Sequence, residues 1–435
     1  KMNLCTLLLS SIVVVNGFPF EKVVEDPLPV PLNFLSLEQI NEPYASELYD
    51  GDMILTPEQK EYLNAPERKG VFRTKRGAPI VLARRWPKNQ PIPFYFNANI
   101  TEQARVRIRE ATKIMSANTC LDYKENGSGP SKIHFYNGGG CSSYLGAPAT
   151  GYDSQLSMKT GCESNLVTVL HEMTHNLGIA HTQSRFDRDL YVTVNYGAMQ
   201  KGMEKNYDKL TSEENGNFGL PYEYGSAMHY SAFHWNTNKQ ATMNAKDSAY
   251  QYSMGQHRYM TFNDYKLINL LYNCSENCKN NLKCENGGYI HPRDCNKCVC
   301  NEFYAGTRCE RENVPVQNVQ NTYTTAFEQD GFDFSHNFKD YSKFKTDATR
   351  LIKAPIGRRL NITITKMNTA YTGGCPICEG FGVELNDVDL SLVGKIFCCD
   401  ANKGLSFISK SNVVGYKAYS SYQFPFSATV TYTVV

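Results

Sequence analysis

An eleven-residue stretch, His171-Glu172-Met173-Thr174-His175-Asn176-Leu177-Gly178-Ile179-Ala180-His181, narrows what this chain can fold into more than any other segment. The apolar spacing of Leu166, Val169, Leu170, Met173 and Leu177 predicts a helix over 164–177, ending at Gly178. On that helix His171 and His175 lie on one face, one turn apart. Two imidazoles so placed can each reach one zinc ion. Gly178 tolerates positive φ, so the chain can turn sharply and return His181 as a third ligand. Glu172 is next to the first ligand and is free to act on water. Three protein ligands leave a position open for water, the mark of a catalytic rather than a structural zinc. A His-Glu-x-x-His pair alone arises by chance on charged helices. Gly178 and His181 at the required offsets argue against coincidence.

The rest of the chain points to an exported, multidomain protein. Its 435 residues exceed one ordinary domain, and two to four is the natural expectation. The formal net charge of +2, with no long block of like charge, gives no sign of a nucleic-acid groove or a membrane-surface helix. Residues 1–17 read as a secretory signal, with Lys1, a short apolar run over 7–15 and Gly17 before Phe18. No later run is apolar and long enough to span a bilayer. Of the 15 cysteines, Cys5 falls in this signal, and the remaining 14 can all pair in an oxidising compartment. Glycan acceptor motifs stand at Asn99, Asn126, Asn273 and Asn361.

Residues 18–76 are Pro-rich, then acidic, and lack cysteine; they end in Arg73-Thr74-Lys75-Arg76, a processing signal with cleavage expected after Arg76. Residues 77–274 read as one domain of helices and strands. A helix over 101–116 has Thr101 as N-cap and Val106, Ile108, Ile114 and Met115 as apolar residues, and 133–136 is a strand. Residues 275–310 hold six cysteines, Cys278, Cys284, Cys295, Cys298, Cys300 and Cys309, and must be stapled rather than cored. Fifteen connectivities are open to six cysteines. Residues 320–435 alternate in the β manner, as in 360–365 and 428–435, and suggest an antiparallel sandwich carrying Cys375, Cys378, Cys398 and Cys399.

About 50 residues past the histidines comes Ser226-Ala227-Met228-His229-Tyr230. Taken alone, Met228 is core filler and Tyr230 a half-buried aromatic. Together with the zinc signature and its continuation Ser184-Arg185-Phe186-Asp187-Arg188-Asp189, this segment resembles the astacin family of metzincin zinc proteases. Arg85-Trp86-Pro87 and Gly140-Cys141-Ser142-Ser143-Tyr144-Leu145-Gly146 extend the likeness over 77–274. The resemblance implies one Zn2+ in this α+β catalytic domain, Glu172 as general base, and Met228 in a turn beneath the metal. It makes Tyr230 an extra ligand at rest and an oxyanion donor during catalysis. It also implies Cys120–Cys274 and Cys141–Cys162 disulfides. Tyr49-Asp50-Gly51-Asp52 resembles the family's pro-segment motif, which makes Asp52 the latency ligand of a precursor; by composition alone it would be a turn residue.

Two positions depart from the pattern. Thr182 stands where the family has a glutamate that helps anchor the mature N-terminus, and Ser142 where it often has tryptophan. Residues 275–310 resemble an EGF-like module, implying Cys278–Cys295, Cys284–Cys298 and Cys300–Cys309. Residues 320–435 resemble a CUB domain, a β-sandwich, with a protein as its partner. The expectation is a latent, secreted zinc endopeptidase acting on extracellular proteins or peptides. The rival from another class is a non-catalytic secreted binding protein that works through its EGF-like and CUB-like modules. A third reading, a structural zinc protein, needs a fourth permanent ligand.

Overall fold

The computed structural model describes residues 36–64, 83–256, 258–279, 282–313, 330–336, 348–369, 378, 381–420 and 426–435. The signal over 1–17, the basic run ending at Arg76 and Cys375 lie outside the described residues.

The first body is built on a six-stranded sheet. Its strands are β1 (Met53–Ile54), β2 (Ile92–Phe96), β3 (Tyr123–Glu125), β4 (Ile133–Tyr136), β5 (Cys141–Tyr144) and β6 (Ser154–Met158), in the order β1-β5-β6-β4-β2-β3. All neighbours are parallel except β5 and β6. Five helices accompany it: α1 (Leu37–Asn41), α2 (Pro57–Asn64), α3 (Glu102–Asn118), α4 (Leu166–Asn176) and α5 (Phe262–Leu271). Thr101 caps α3, its hydroxyl accepting the Ala104 N–H. Ile108 and Met115 are buried and Ile114 is partly so, but Val106 is 53% exposed. It lies two residues from Ile108, some 200° round a helix of 3.6 residues per turn, on the solvent side. The core joins α3, α4 and α5 to the sheet through residues such as Phe94, Ile108, Phe135, Leu156, Val169 and Ile268.

A disulfide ties Cys120, beyond α3, to Cys274, beyond α5, across 154 residues, and Cys141–Cys162 pins β5 to the approach to α4. Closing so long a loop in the unfolded chain is worth about 5 kcal/mol in the chain-entropy model. Replacing both Cys120 and Cys274 by Ser is expected to lower unfolding stability by about 2–5 kcal/mol, read from denaturant midpoints.

A two-stranded ribbon, β7 (Val192–Val194) with β8 (Met243–Ala245), lies within a second, tyrosine-rich cluster that includes Tyr207, Tyr222 and Tyr230. The cysteine-rich segment carries two small ribbons, β9 (Tyr289–His291) with β10 (Asp294–Val299) and β11 (Tyr304–Ala305) with β12 (Arg311–Glu312). Its bonds are Cys278–Cys295, Cys284–Cys298 and Cys300–Cys309.

The C-terminal unit is two four-stranded antiparallel sheets. One has the order β13 (Asp330–His336), β20 (Phe426–Val434), β15 (Leu360–Thr369), β18 (Ser406–Ile408). The other has the order β14 (Ala348–Lys353), β19 (Val413–Ser420), β16 (Phe381–Asn386), β17 (Lys395–Phe397). Ile362, Ile364 and Val430 from the first sheet share a core with Val383, Ile396 and Val414 from the second. Cys378 bonds to Cys398. Asn99, Asn126 and Asn273 are exposed, whereas Asn361 is half-buried in β15.

Candidate metal centre

Helix α4 starts at its N-cap Asn165, whose side chain accepts the Val167 N–H, and its core-facing residues include Val169, Leu170 and Met173. It ends before Gly178, at φ 100°. A Cβ there would meet the Ala83 Cβ at 3.0 Å, so both the backbone angle and the space favour glycine. The bend returns the chain, and the Nε2 atoms of His171, His175 and His181 stand 2.9, 3.2 and 3.2 Å apart. Ligands about 2.0–2.1 Å from one tetrahedral ion would be about 3.3 Å apart, so the spacing fits.

The protonation pattern fits as well. His171 Nδ1 donates to the Ala227 carbonyl and His175 Nδ1 to the Ile179 carbonyl, both at 2.7 Å. A carbonyl can only accept, so these rings carry their proton on Nδ1 and turn the Nε2 lone pair inward. His181 Nδ1 lies 3.1 Å from Asp50 Oδ2.

Asp52 completes the cluster. Its Oδ2 is 3.2 Å from His171 Nε2 and 3.1 Å from His181 Nε2, and its Oδ1 is 3.2 Å from His175 Nε2. These four are the group among the described residues able to hold a metal ion, and all are buried. Burial works to raise the Asp52 carboxyl, but the imidazoles packed around it, the charge of His181 foremost, outweigh it and hold it well below the usual range. Burial pulls His175 down to about 4. Burial also works against a charged His181, yet Asp52 and Asp50 push it up to about 10. The centre thus draws positive charge to itself, a demand that a divalent cation meets.

Glu172 is fully buried, and neither carboxylate oxygen has a hydrogen-bond partner. Burial, then the charge of Asp52, raises it well above its ordinary range. An unpartnered buried carboxylate beside a cation site is arranged for chemistry rather than for stability.

The segment bearing Asp52 is held by contacts that its sequence does not advertise. Asn41 donates to the carbonyls of Gly51 and Cys141 and accepts the Cys141 N–H at 2.7 Å. Strand β1 pairs in parallel with β5, Met53 opposite Ser143, and Ser143 N–H donates to the Asp52 carbonyl. Asp50 and Gly51 both have positive φ, so the Asp-Gly bend is at once a turn and the support of Asp52. Tyr230 donates to the Asp50 carbonyl at 2.5 Å, and its ring stacks on His234 with centroids 3.6 Å apart. Glu38 holds His234 Nδ1 at 2.5 Å and accepts from Ser231. A Cβ at Gly51 would sit 2.3 Å from the Tyr230 hydroxyl. Gly51→Ala is therefore expected to loosen residues 36–64, read as faster nicking of that segment by a broad protease while the rest of the chain resists.

Met228 is buried within the main core. Thr182 donates through its backbone to the Met228 carbonyl and through its hydroxyl to Ser226, which donates to Asp264 at 2.6 Å. Asp264 also accepts the Ala227 N–H, and so braces the residue whose carbonyl orients His171. Ser142 is buried in β5 opposite Ser157, and Trp86 donates to the carbonyl and side chain of Asn176 at the end of α4. Asn41, Glu38, Asp50 and Asp264 are the site residues that sequence reasoning missed. Of these only Asp50 carried a signal, its place in the Tyr49–Asp52 motif.

The chain is similar in sequence to known zinc proteases. Residues 80–273 match the family model for astacin, a family of peptidases. The zinc metalloproteinase nas-28 of Caenorhabditis elegans is 29% identical over 396 residues, which cover 88% of this chain and 78% of the relative. The zinc metalloproteinase nas-17 of the same organism is 32% identical over 357 residues, covering 81% and 78%. Among solved structures, high choriolytic enzyme 1, a hatching-enzyme zinc protease from the medaka fish Oryzias latipes, aligns at 25% identity and a TM-score of 0.40, covering 44% of this chain and 94% of that one. This chain belongs to the astacin family of zinc metalloproteinases. Its cofactor is zinc, and the buried Asp/His₃ cluster is the place able to hold it. No helix among the described residues is long and apolar enough to cross a membrane.

Proposed function

We propose that the chain is a secreted endopeptidase made as a latent precursor, in which His171, His175 and His181 hold the zinc and Asp52 takes the position that water needs. The observation that carries this reading is the contact of the Asp52 carboxylate with all three Nε2 atoms at 3.1–3.2 Å. Zinc, when bound, supplies Lewis acidity to the scissile carbonyl and to the attacking water. Glu172 takes the proton of that water and returns it to the leaving nitrogen. Tyr230, released from the Asp50 carbonyl when residues 18–76 leave, donates to the oxyanion. The departing β1 uncovers β5 as an edge strand, on which an extended substrate pairs antiparallel. The precursor lies on that edge in parallel, with its peptide bonds reversed relative to such a substrate.

Extracellular proteins or peptides are the proposed substrates. Residues 275–310 are proposed as EGF-like, on their three disulfides, and 320–435 as CUB-like, on their paired sheets. A non-catalytic binding role is disfavoured by the intact histidines and Glu172. Cleavage after Arg76 is the proposed activating step. The test is metal content against hydrolysis. The chain cut after Arg76 is expected to carry one zinc, lose hydrolysis with a chelator and regain it on zinc addition. Hydrolysis that persists in the zinc-free chain would overturn the reading.

A further inference from the structure

The C-terminal two-sheet unit is built into the first body rather than hung from it. Val393, which leads into β17, packs against Gly225 so closely that a Cβ on Gly225 would lie 2.4 Å from the Val393 Cβ. The Val393 N–H donates to Glu223 Oε1 at 3.0 Å. Ser253, fully buried in the first body, donates to the Gly394 carbonyl and accepts the Ile396 N–H. Asn263, on α5, donates to the Ser391 carbonyl at 3.0 Å. Tyr252 packs onto the sandwich core.

The cysteine-rich segment closes the same junction. Lys417 on β19 is fully buried, with Glu302 Oε2 at 2.8 Å and the Tyr259 hydroxyl at 3.3 Å. Arg258 lies over the Tyr419 ring at 3.3 Å. Separating the units would break this buried pair and its packing on the Tyr259 ring.

One line of hydrogen bonds runs from this junction to the metal centre. Val393 donates to Glu223, Glu223 Oε2 accepts the Thr261 hydroxyl, and Thr261 N–H donates to Asp264. Asp264 accepts from Ser226 and Ala227, and the Ala227 carbonyl accepts His171 Nδ1. We propose that the C-terminal unit is a fixed wall of the catalytic unit, and that Glu223 is the positioning residue through which β17 steadies the Ser226–Tyr230 turn. A tethered recognition arm would leave that turn untouched when displaced. The catalytic consequence rests on the endopeptidase reading; the docking does not.

The test uses the full chain with a site for a sequence-specific protease placed between residues 314 and 329. After cutting there, the two parts are expected to co-elute as one species. Val393→Arg, which forces a long cation against Gly225, is expected to separate them. In the chain activated after Arg76, that separation should lower kcat on a short unstructured peptide roughly tenfold, as small misplacements of a site do. KM should stay within about twofold, since a short peptide makes its contacts in the cleft. Ser253→Ala, which removes two hydrogen bonds and adds no bulk, should shift kcat in the same direction by less, which guards against a misfolded Val393→Arg. The proposal is overturned if the cut parts separate without any substitution, or if they separate in the variant with kcat unchanged. Absence of hydrolysis in the uncut, unsubstituted activated chain would count against the endopeptidase reading instead, and co-elution would still decide the docking.

Discussion

Glu172→Gln in the activated chain is expected to reduce kcat/KM for peptide hydrolysis by about 10²–10⁴, the usual contribution of a positioned proton-transfer group. The substitution keeps shape and volume, so packing is preserved. In the uncut precursor, where Glu172 is fully buried, stability should hold or rise, because a buried carboxylate with no hydrogen-bond partner costs free energy and the amide removes its charge. Zinc content should be unchanged, since Glu172 is not among the four residues that converge on the cation position. The informative result is the combination of lost hydrolysis, retained zinc and an unshifted or higher Tm. Full hydrolysis by Glu172→Gln would remove the general-base assignment. Loss of zinc would recast Glu172 as a ligand or a structural support.

Asp52→Ala in the uncut precursor is expected to show the opposite sign, a gain of hydrolysis without processing. Asp52 is 1% exposed, and its carboxylate is the direct contact of residues 36–64 with the three Nε2 atoms. Removing one partner of a buried charged set typically costs about 3–5 kcal/mol. At 1.36 kcal/mol per decade, that weakens the hold of the segment by roughly two to four orders of magnitude. Part of that loss is hidden by tethering, because the segment remains on the same chain at high effective concentration. The gain should therefore be partial and should rise when Gly51→Ala is added. Asp50→Ala is expected to do less, because the Asp50 carbonyl that accepts from Tyr230 belongs to the backbone and survives. An Asp52→Ala precursor as silent as the parent would show that latency resides in the covering of β5 and not in the carboxylate.

Much of the site was legible in the sequence because it is local. The helix pitch puts His171 beside His175, and Gly178 brings His181 round within three residues. Thr101 and the strand over 133–136 were readable for the same reason. The Cys120–Cys274 bond came from the family resemblance, since no spacing rule joins residues 154 apart. The supports of Asp52 were not legible. Asn41 pairs with Cys141 across 100 positions and Glu38 reaches Ser231 across 193. Such pairs are set by how residues 36–64 lie over β5, which no local pattern encodes. Val106 shows the converse, an apolar residue whose place on the helix faces water. Thr182 stands where the family has a glutamate. The structure puts its hydroxyl into the Ser226–Asp264 hydrogen bonds, so the position braces the methionine turn. The junction at Glu223, Val393 and Lys417 was invisible because each residue looks ordinary until three segments meet.

The central claim is that one buried cluster both performs hydrolysis and is silenced by Asp52. Its most direct test is the rate of hydrolysis of a quenched fluorescent peptide by the zinc-loaded chain, before and after cleavage following Arg76. The expected result is near silence in the intact precursor and hydrolysis that grows in step with the cut fraction. Equal rates before and after the cut, or a fully cut and zinc-loaded chain that hydrolyses no peptide across a broad panel, would contradict the account.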